Sequence, residues 1–161
     1  MSERCGKKRI LAETDVIRRL LAVLFRYNSP FFFSDGLIMT FSCQIESDRA
    51  VLRQNGHAEA EIYFFGALLN RYAVFGSGEW LNCIAAYRGT DDALQHITDG
   101  FRSAKLSPFP CRLNRGGYRF DGREYQTGRH VLNGHAIHGL LYDAPFASAG
   151  HGSGEDAAWI E

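Results

Sequence analysis

The chain has 161 residues, 18 Lys and Arg against 18 Asp and Glu, and is 45% hydrophobic and 13% aromatic. That apolar content is ordinary for a globular protein and argues against wholesale disorder, and zero net charge argues against a dedicated nucleic-acid binder. No stretch reaches the roughly 18 apolar residues of a membrane helix, and the short run 20–25, flanked by arginines, lacks the features of a signal peptide.

The balance is uneven along the chain. Residues 1–35 carry seven basic groups (Arg4, Lys7, Lys8, Arg9, Arg18, Arg19, Arg26) and four acids, whereas 143–161 carries four acids and no Lys or Arg. The four cysteines, Cys5, Cys43, Cys83 and Cys111, are too far apart for a CxxC metal or redox motif. Scattered thiols in a chain this size fit a reduced, cytosolic protein, with Cys111 expected as a small buried apolar residue.

In chain order, 14–27 reads as a helix capped by Thr14 or Asp15, with Val16, Leu20, Val23 and Leu24 as its apolar stripe. It stops at Asn28-Ser29-Pro30, and Ser34-Asp35-Gly36 is a turn or linker signal. From Thr40 the texture becomes strand-like: 40–46, then 49–53, the turn dipeptide Asn55-Gly56, and 59–65. In the last of these Ala60, Ile62 and Phe64 face one way and Glu59, Glu61 and Tyr63 the other. Strands are expected at 67–75 and 79–86 about the Gly76-Ser77-Gly78 turn, and a short helical turn at 90–97 with Asp91 and Asp92 at its N-terminus. Residues 101–115 read as a loop. Asp121-Gly122 predicts a type I′ hairpin that sets Tyr118 opposite Tyr125 and Arg119 opposite Glu124, the latter as an ion pair. A loop feeding a strand is expected over 130–142, a Gly-rich linker over 147–154, and a strand start at 156–161. Many short strands with Gly-rich turns and little helix indicate an antiparallel β-sandwich.

Few constellations can carry chemistry. His135 and His138 are three apart, so on a strand they point to opposite faces, and joint metal ligation would need a turn between them. No acidic or cysteine ligand stands at zinc spacing nearby. One surface and one core histidine would also satisfy the pattern. A neutral imidazole at His138, next to Gly139, can instead give a hydrogen bond to a ligand oxygen or move a proton near neutral pH. Arg112 follows Pro108 and Pro110, which stiffen its approach; its fork suits vicinal hydroxyls or an anion, and equally a solvated loop position. Gly76-Ser77-Gly78 lacks the helix and Lys of a phosphate loop, and there is no Gly-x-Ser-x-Gly elbow.

Four segments in order carry a resemblance. The run 101–113, Phe-Arg-Ser-Ala-Lys-Leu-Ser-Pro-Phe-Pro-Cys-Arg-Leu, resembles the aldose 1-epimerase (galactose mutarotase) family, in which an arginine of an Asn-Arg-Ile-type motif precedes a Gly-rich turn. Residues 118–125 are similar to the family's Phe-Asp-Gly-Lys-x-Tyr hairpin, 135–140 to its Leu-His-Gly segment, and 66–70 to an early Gly-Ala strand. The resemblance runs from about Phe41 to Trp159.

It implies a sandwich of the galactose-mutarotase type that interconverts α and β anomers of free aldoses, with no cofactor and no metal. By position, Arg112 would hold hydroxyls of a monosaccharide (an aldohexose), and His138 would be a substrate-binding and catalytic histidine near the ring oxygen. Cys111 replaces the motif asparagine. The family's second histidine, sugar-binding aspartate and glutamate base belong to the second half of its domain. The expectation is therefore that 39–161 is the N-terminal half of such a sandwich, inactive alone, with 1–38 a helical extension foreign to it. The alternative is a non-catalytic carbohydrate-binding module on the same sandwich. Neither a nucleic acid nor a membrane is an expected partner, and the expected location is cytoplasmic.

Overall fold

In a computed structural model, residues 40–161 are described. The extension 1–38, with its expected helix at 14–27, lies outside them. The described chain is mostly strand, in antiparallel sheets, with one short α-helix.

Five strands form a meander in chain order: β1 (Phe41–Ile45), β2 (Arg49–Gln54), β3 (Ala58–Tyr63), β4 (Leu68–Gly76) and β5 (Glu79–Asn82). Alternation decides the register. Ala50, Leu52, Ala60 and Ile62 line one face, because period-two apolar residues slipped by one position would turn to water. That face is covered by a hairpin from the chain's end, β11 (His151–Ser153) and β12 (Ala158–Ile160), which contributes Ala158 and Ile160 to the same core. The stretch 147–154, expected as a linker, is thus partly strand. Its glycines mislead because Gly152 packs directly beneath the Trp159 indole, where a Cβ would come within 3.1 Å of the ring.

The opposite face is also buried. Tyr63, expected on the polar side of its strand, is only 1% exposed and packs with Leu68, Tyr87, Ala93, Ile97 and Tyr142. The cover comes from the helix α1 (Thr90–His96), the 3-10 turn Ile97–Asp99 and the loop after it. Helix α1 is preceded by Gly89 without a side-chain cap, but Asp92 Oδ2 accepts the Arg88 N–H at 2.9 Å, closing the first turn. Strand β5 ends at Asn82 rather than running to 86, because the chain must leave the ladder to bring Tyr87 onto this face.

The junction is a β-bulge. Register shifts between Glu61 and Ile62, leaving Asn70 as the extra residue of β4. The two protons of its buried amide nitrogen are shared among Glu61 Oε1 (2.9 Å), Tyr63 Oη (2.8 Å) and the Tyr87 carbonyl (3.2 Å), and its oxygen accepts the Tyr87 N–H (2.8 Å). Beside it, Arg49 bridges Asp48 (2.9 Å) and Glu61 (3.1 Å), and Thr90 donates its hydroxyl to Asp48. Further along, Arg53 bonds Glu59 at 2.7 Å. Arg71 meets the same carboxylate at 3.1 Å as an ion pair too bent for a hydrogen bond.

Three smaller pieces complete the described fold. The hairpin β7 (Gly117–Phe120) and β8 (Arg123–Gln126) has the expected register, with Asp121 and Gly122 both at positive φ (49° and 72°). Tyr118 and Tyr125 stack at 5.0 Å and 11°. Arg119 stands opposite Glu124, but both are exposed and, among the described residues, no ion pair closes between them. The remaining strands, β6 (Arg112–Leu113), β9 (Val131–Leu132) and β10 (His135–Ile137), form a small sheet in the order β6-β10-β9. A hairpin thus occupies part of 130–142, turning at Asn133-Gly134 with φ of 53° and 79°. Among the described residues, no helix is long and apolar enough to cross a membrane.

Two outcomes follow. Asn70→Ala strips the bulge of its amide and leaves the buried backbone N–H and carbonyl of Tyr87 without it, so urea unfolding should show a loss of about 2–4 kcal/mol; a loss below about 1 kcal/mol would contradict this account. The Arg49 and Thr90 hydrogen bonds lower the Asp48 carboxyl from its ordinary value to about 2. A carboxyl lowered in the folded state adds stability that is complete above its unfolded value near ~4 and disappears as pH falls towards the folded value. Asp48→Asn should therefore flatten the stability profile between about pH 4 and pH 2, read by urea titrations at each pH; an unaltered profile counts against the clasp.

Candidate functional site

The small sheet holds one expected site residue, Arg112, and ends one residue before the other, His138. Arg112 pairs with Ile137 across β6 and β10, and Cys111 then lies beside His138. The His138 N–H donates to the Cys111 carbonyl at 2.9 Å, and the Cys111 N–H donates to His138 Nδ1 at 3.1 Å. Because a backbone amide can only donate there, Nδ1 is the acceptor nitrogen and Nε2 is left to carry the ring proton. Among the described residues Nε2 has no partner, and the exposed Arg112 guanidinium has neither an ion pair nor a hydrogen bond.

Cys111 is exposed rather than buried, with φ at 59°. Its contribution comes from its backbone, which addresses the histidine, and that left-handed turn carries its side chain outwards. The three free cysteines among the described residues are Cys43, Cys83 and Cys111.

His138 sits at a sharp reversal, its φ at 59° and that of Gly139 at 76°. This is the turn that the spacing of His135 and His138 requires before the two rings could share a face. The rings nonetheless go to separate partners: His135 Nδ1 accepts from the Arg115 N–H at 3.2 Å. Gly139 is pressed against the loop 101–111, where a Cβ would fall 2.0 Å from the Ser107 carbonyl oxygen. The next amide, Leu140 N–H, donates to that oxygen at 2.7 Å. Phe101 covers the His138 ring edge-on at 4.4 Å and meets Tyr142 at 5.2 Å.

The segment is tied to the large sheet by Gly66 N–H to the Ala144 carbonyl (2.8 Å) and Phe146 N–H to the Phe64 carbonyl (2.8 Å). Lys105 binds the loop to the sheet from the other side, donating to the Ala67 carbonyl at 2.8 Å, and burial holds its ammonium below the usual lysine range.

His130, Arg129 and Asp143 form a group that sequence reasoning missed. His130 is 8% exposed; its Nδ1 lies 2.8 Å from the Gly139 carbonyl and its Nε2 2.9 Å from Asp143 Oδ2. Arg129 donates to the other Asp143 oxygen at 3.0 Å. No local spacing announces this group, since His130 and Asp143 meet only once β9 and β10 have folded back. The Asn133-Gly134 dipeptide was the available signal.

The arrangement offers a free guanidinium fork on Arg112 and, on His138, an imidazole N–H oriented by the Cys111 backbone. Either group can donate to a hydroxyl or an anion. Gly139→Ala tests that geometry: with positive φ and the Ser107 carbonyl in the way, it should cost at least about 2 kcal/mol in urea unfolding, and a neutral result would refute the close approach.

In comparisons with known proteins, the chain matches no family model, no curated protein and no solved structure.

Proposed function

We propose that this chain is an aldose 1-epimerase-like sugar isomerase domain, with Arg112 gripping hydroxyls of a free aldohexose and His138 serving its ring oxygen. The observation that supports the reading is the His138 ring, whose Nδ1 is taken by the Cys111 amide just before Arg112. That leaves an Nε2–H donor on His138 and unused guanidinium donors on Arg112, groups that fit a sugar's ring oxygen and vicinal hydroxyls. The ordered resemblance of four segments points the same way.

In this reading the His138 Nε2–H holds the ring oxygen by a hydrogen bond, and solvent supplies that oxygen's proton as its bond to the anomeric carbon breaks. A base takes the proton of the anomeric hydroxyl, leaving the open-chain aldehyde. Rotation about the aldehyde carbon and reclosure return both protons and give the other anomer. No cofactor takes part in this scheme, and free thiols suit a reducing, cytoplasmic setting.

One observation favours a second reading. Among the described residues, no carboxylate bonds to Arg112 or His138, so a base is not yet in place. A non-catalytic carbohydrate-binding module would use the same two donors without proton transfer.

Polarimetry on freshly dissolved α-glucose or α-galactose separates them. The isomerase accelerates mutarotation, and His138→Ala removes about 10²-fold or more of that acceleration. Saturable sugar binding without acceleration, weakened by Arg112→Ala, identifies the module. A flat calorimetric titration with several aldoses together with no acceleration rejects both.

A further inference from the structure

We propose that His130 and Asp143 are positioning residues that hold His138 in its donor geometry; this rests on the reading of His138 as the working group of the site. A backbone carbonyl only accepts a hydrogen bond, so the ring nitrogen that faces one is the donor, and here the other nitrogen faces a carboxylate. His130 meets exactly these two acceptors, the Gly139 carbonyl at Nδ1 and Asp143 Oδ2 at Nε2, and is buried while doing so. Asp143 is itself fixed through its second oxygen by Arg129.

The target of this chain of bonds is the peptide that follows His138. A non-glycine residue at φ of 59° is strained and keeps that conformation only where its surroundings over-determine it. Here the Gly139 carbonyl is pinned by His130, and Gly139 itself is stopped on the other side by the Ser107 carbonyl. The His130 ring also packs on Tyr142 at 4.0 Å, Tyr142 on Phe101, and Phe101 on the His138 ring. One residue therefore reaches His138 by two routes, through the backbone hydrogen bond and through the stacked rings. Released from the first, the reversal at His138-Gly139 relaxes, Nδ1 leaves the Cys111 amide, and the proton is no longer confined to Nε2.

The test reads His138 directly through ring-nitrogen NMR shifts of the full chain, with the His138 signals assigned by their loss in His138→Gln. The wild type should show Nδ1 as acceptor and Nε2 protonated. His130→Phe keeps a ring on Tyr142 but loses both hydrogen bonds, and it should average the two His138 tautomers. His130→Asn, whose amide can replace Nδ1 towards Gly139, should restore the single tautomer. In polarimetry the Phe variant should lower kcat on the order of tenfold with KM unchanged.

If the wild type fails to accelerate mutarotation, the isomerase reading falls and the NMR shifts still decide the positioning role. A folded His130→Phe protein with unaltered His138 shifts overturns the proposal, even if its Tm drops, since a purely structural histidine would behave that way. Where His130→Phe does not fold, the closer-shaped Asp143→Asn carries the same readout, and unaltered His138 shifts there overturn it equally.

Discussion

Asn70 occupies the one position from which a single side chain can address the sheet and the chain that covers it. A bulge sets its amide on the same face as Glu61 and Tyr63, and its hydrogen bonds there and to both backbone groups of Tyr87 saturate a buried polar group that would otherwise be costly. Tyr87 is thereby fixed over Tyr63 and Leu68, and α1 follows it. Without this bond set the cover over Tyr63 and Leu68 would rest on apolar contact alone, with the Asn70 amide buried and unpaired.

The same constraint explains the division of labour between the faces. The first is an apolar surface closed by the β11–β12 hairpin mainly through area burial, with Ala158 and Ile160 against Ala50 and Leu52. The second adds polar geometry to its apolar cluster, with Asp48, Arg49, Glu61 and Thr90 forming a clasp around Tyr63. The candidate site belongs to the second side. Tyr142, packed with Tyr63 and Leu68, is the step from sheet to site, and Phe101 is the step from the cover to the His138 ring. The site is therefore assembled by long-range packing around a locally encoded turn.

That distinction sets what could be read in advance. The meander strands and the β7–β8 hairpin were legible because period-two alternation and an Asp-Gly turn are local signals, and the Tyr118–Tyr125 pairing came with them. The neighbourhood of Arg112 and His138 was legible as residue types in order. Their actual relation was not, since it depends on left-handed backbone at Cys111 and His138, which no propensity favours. Strand β11 was hidden because glycine normally weakens a strand, and here a neighbouring indole supplies the cover that the missing side chain would have given. Asn70 and the His130–Asp143 pair were hidden for another reason: each is an ordinary polar residue until a distant segment arrives.

The close approaches at Gly139 and Gly152 differ in what stands opposite them. Gly139 faces the backbone carbonyl of Ser107, an atom that every amino acid at position 107 would present, so no compensating exchange exists elsewhere in the chain. Gly152 faces the indole of Trp159, which a smaller residue could replace. Drift in related sequences should follow this difference. Position 139 stays glycine wherever the turn persists, while positions 152 and 159 change as a pair, a larger residue entering the strand only where the tryptophan has gone.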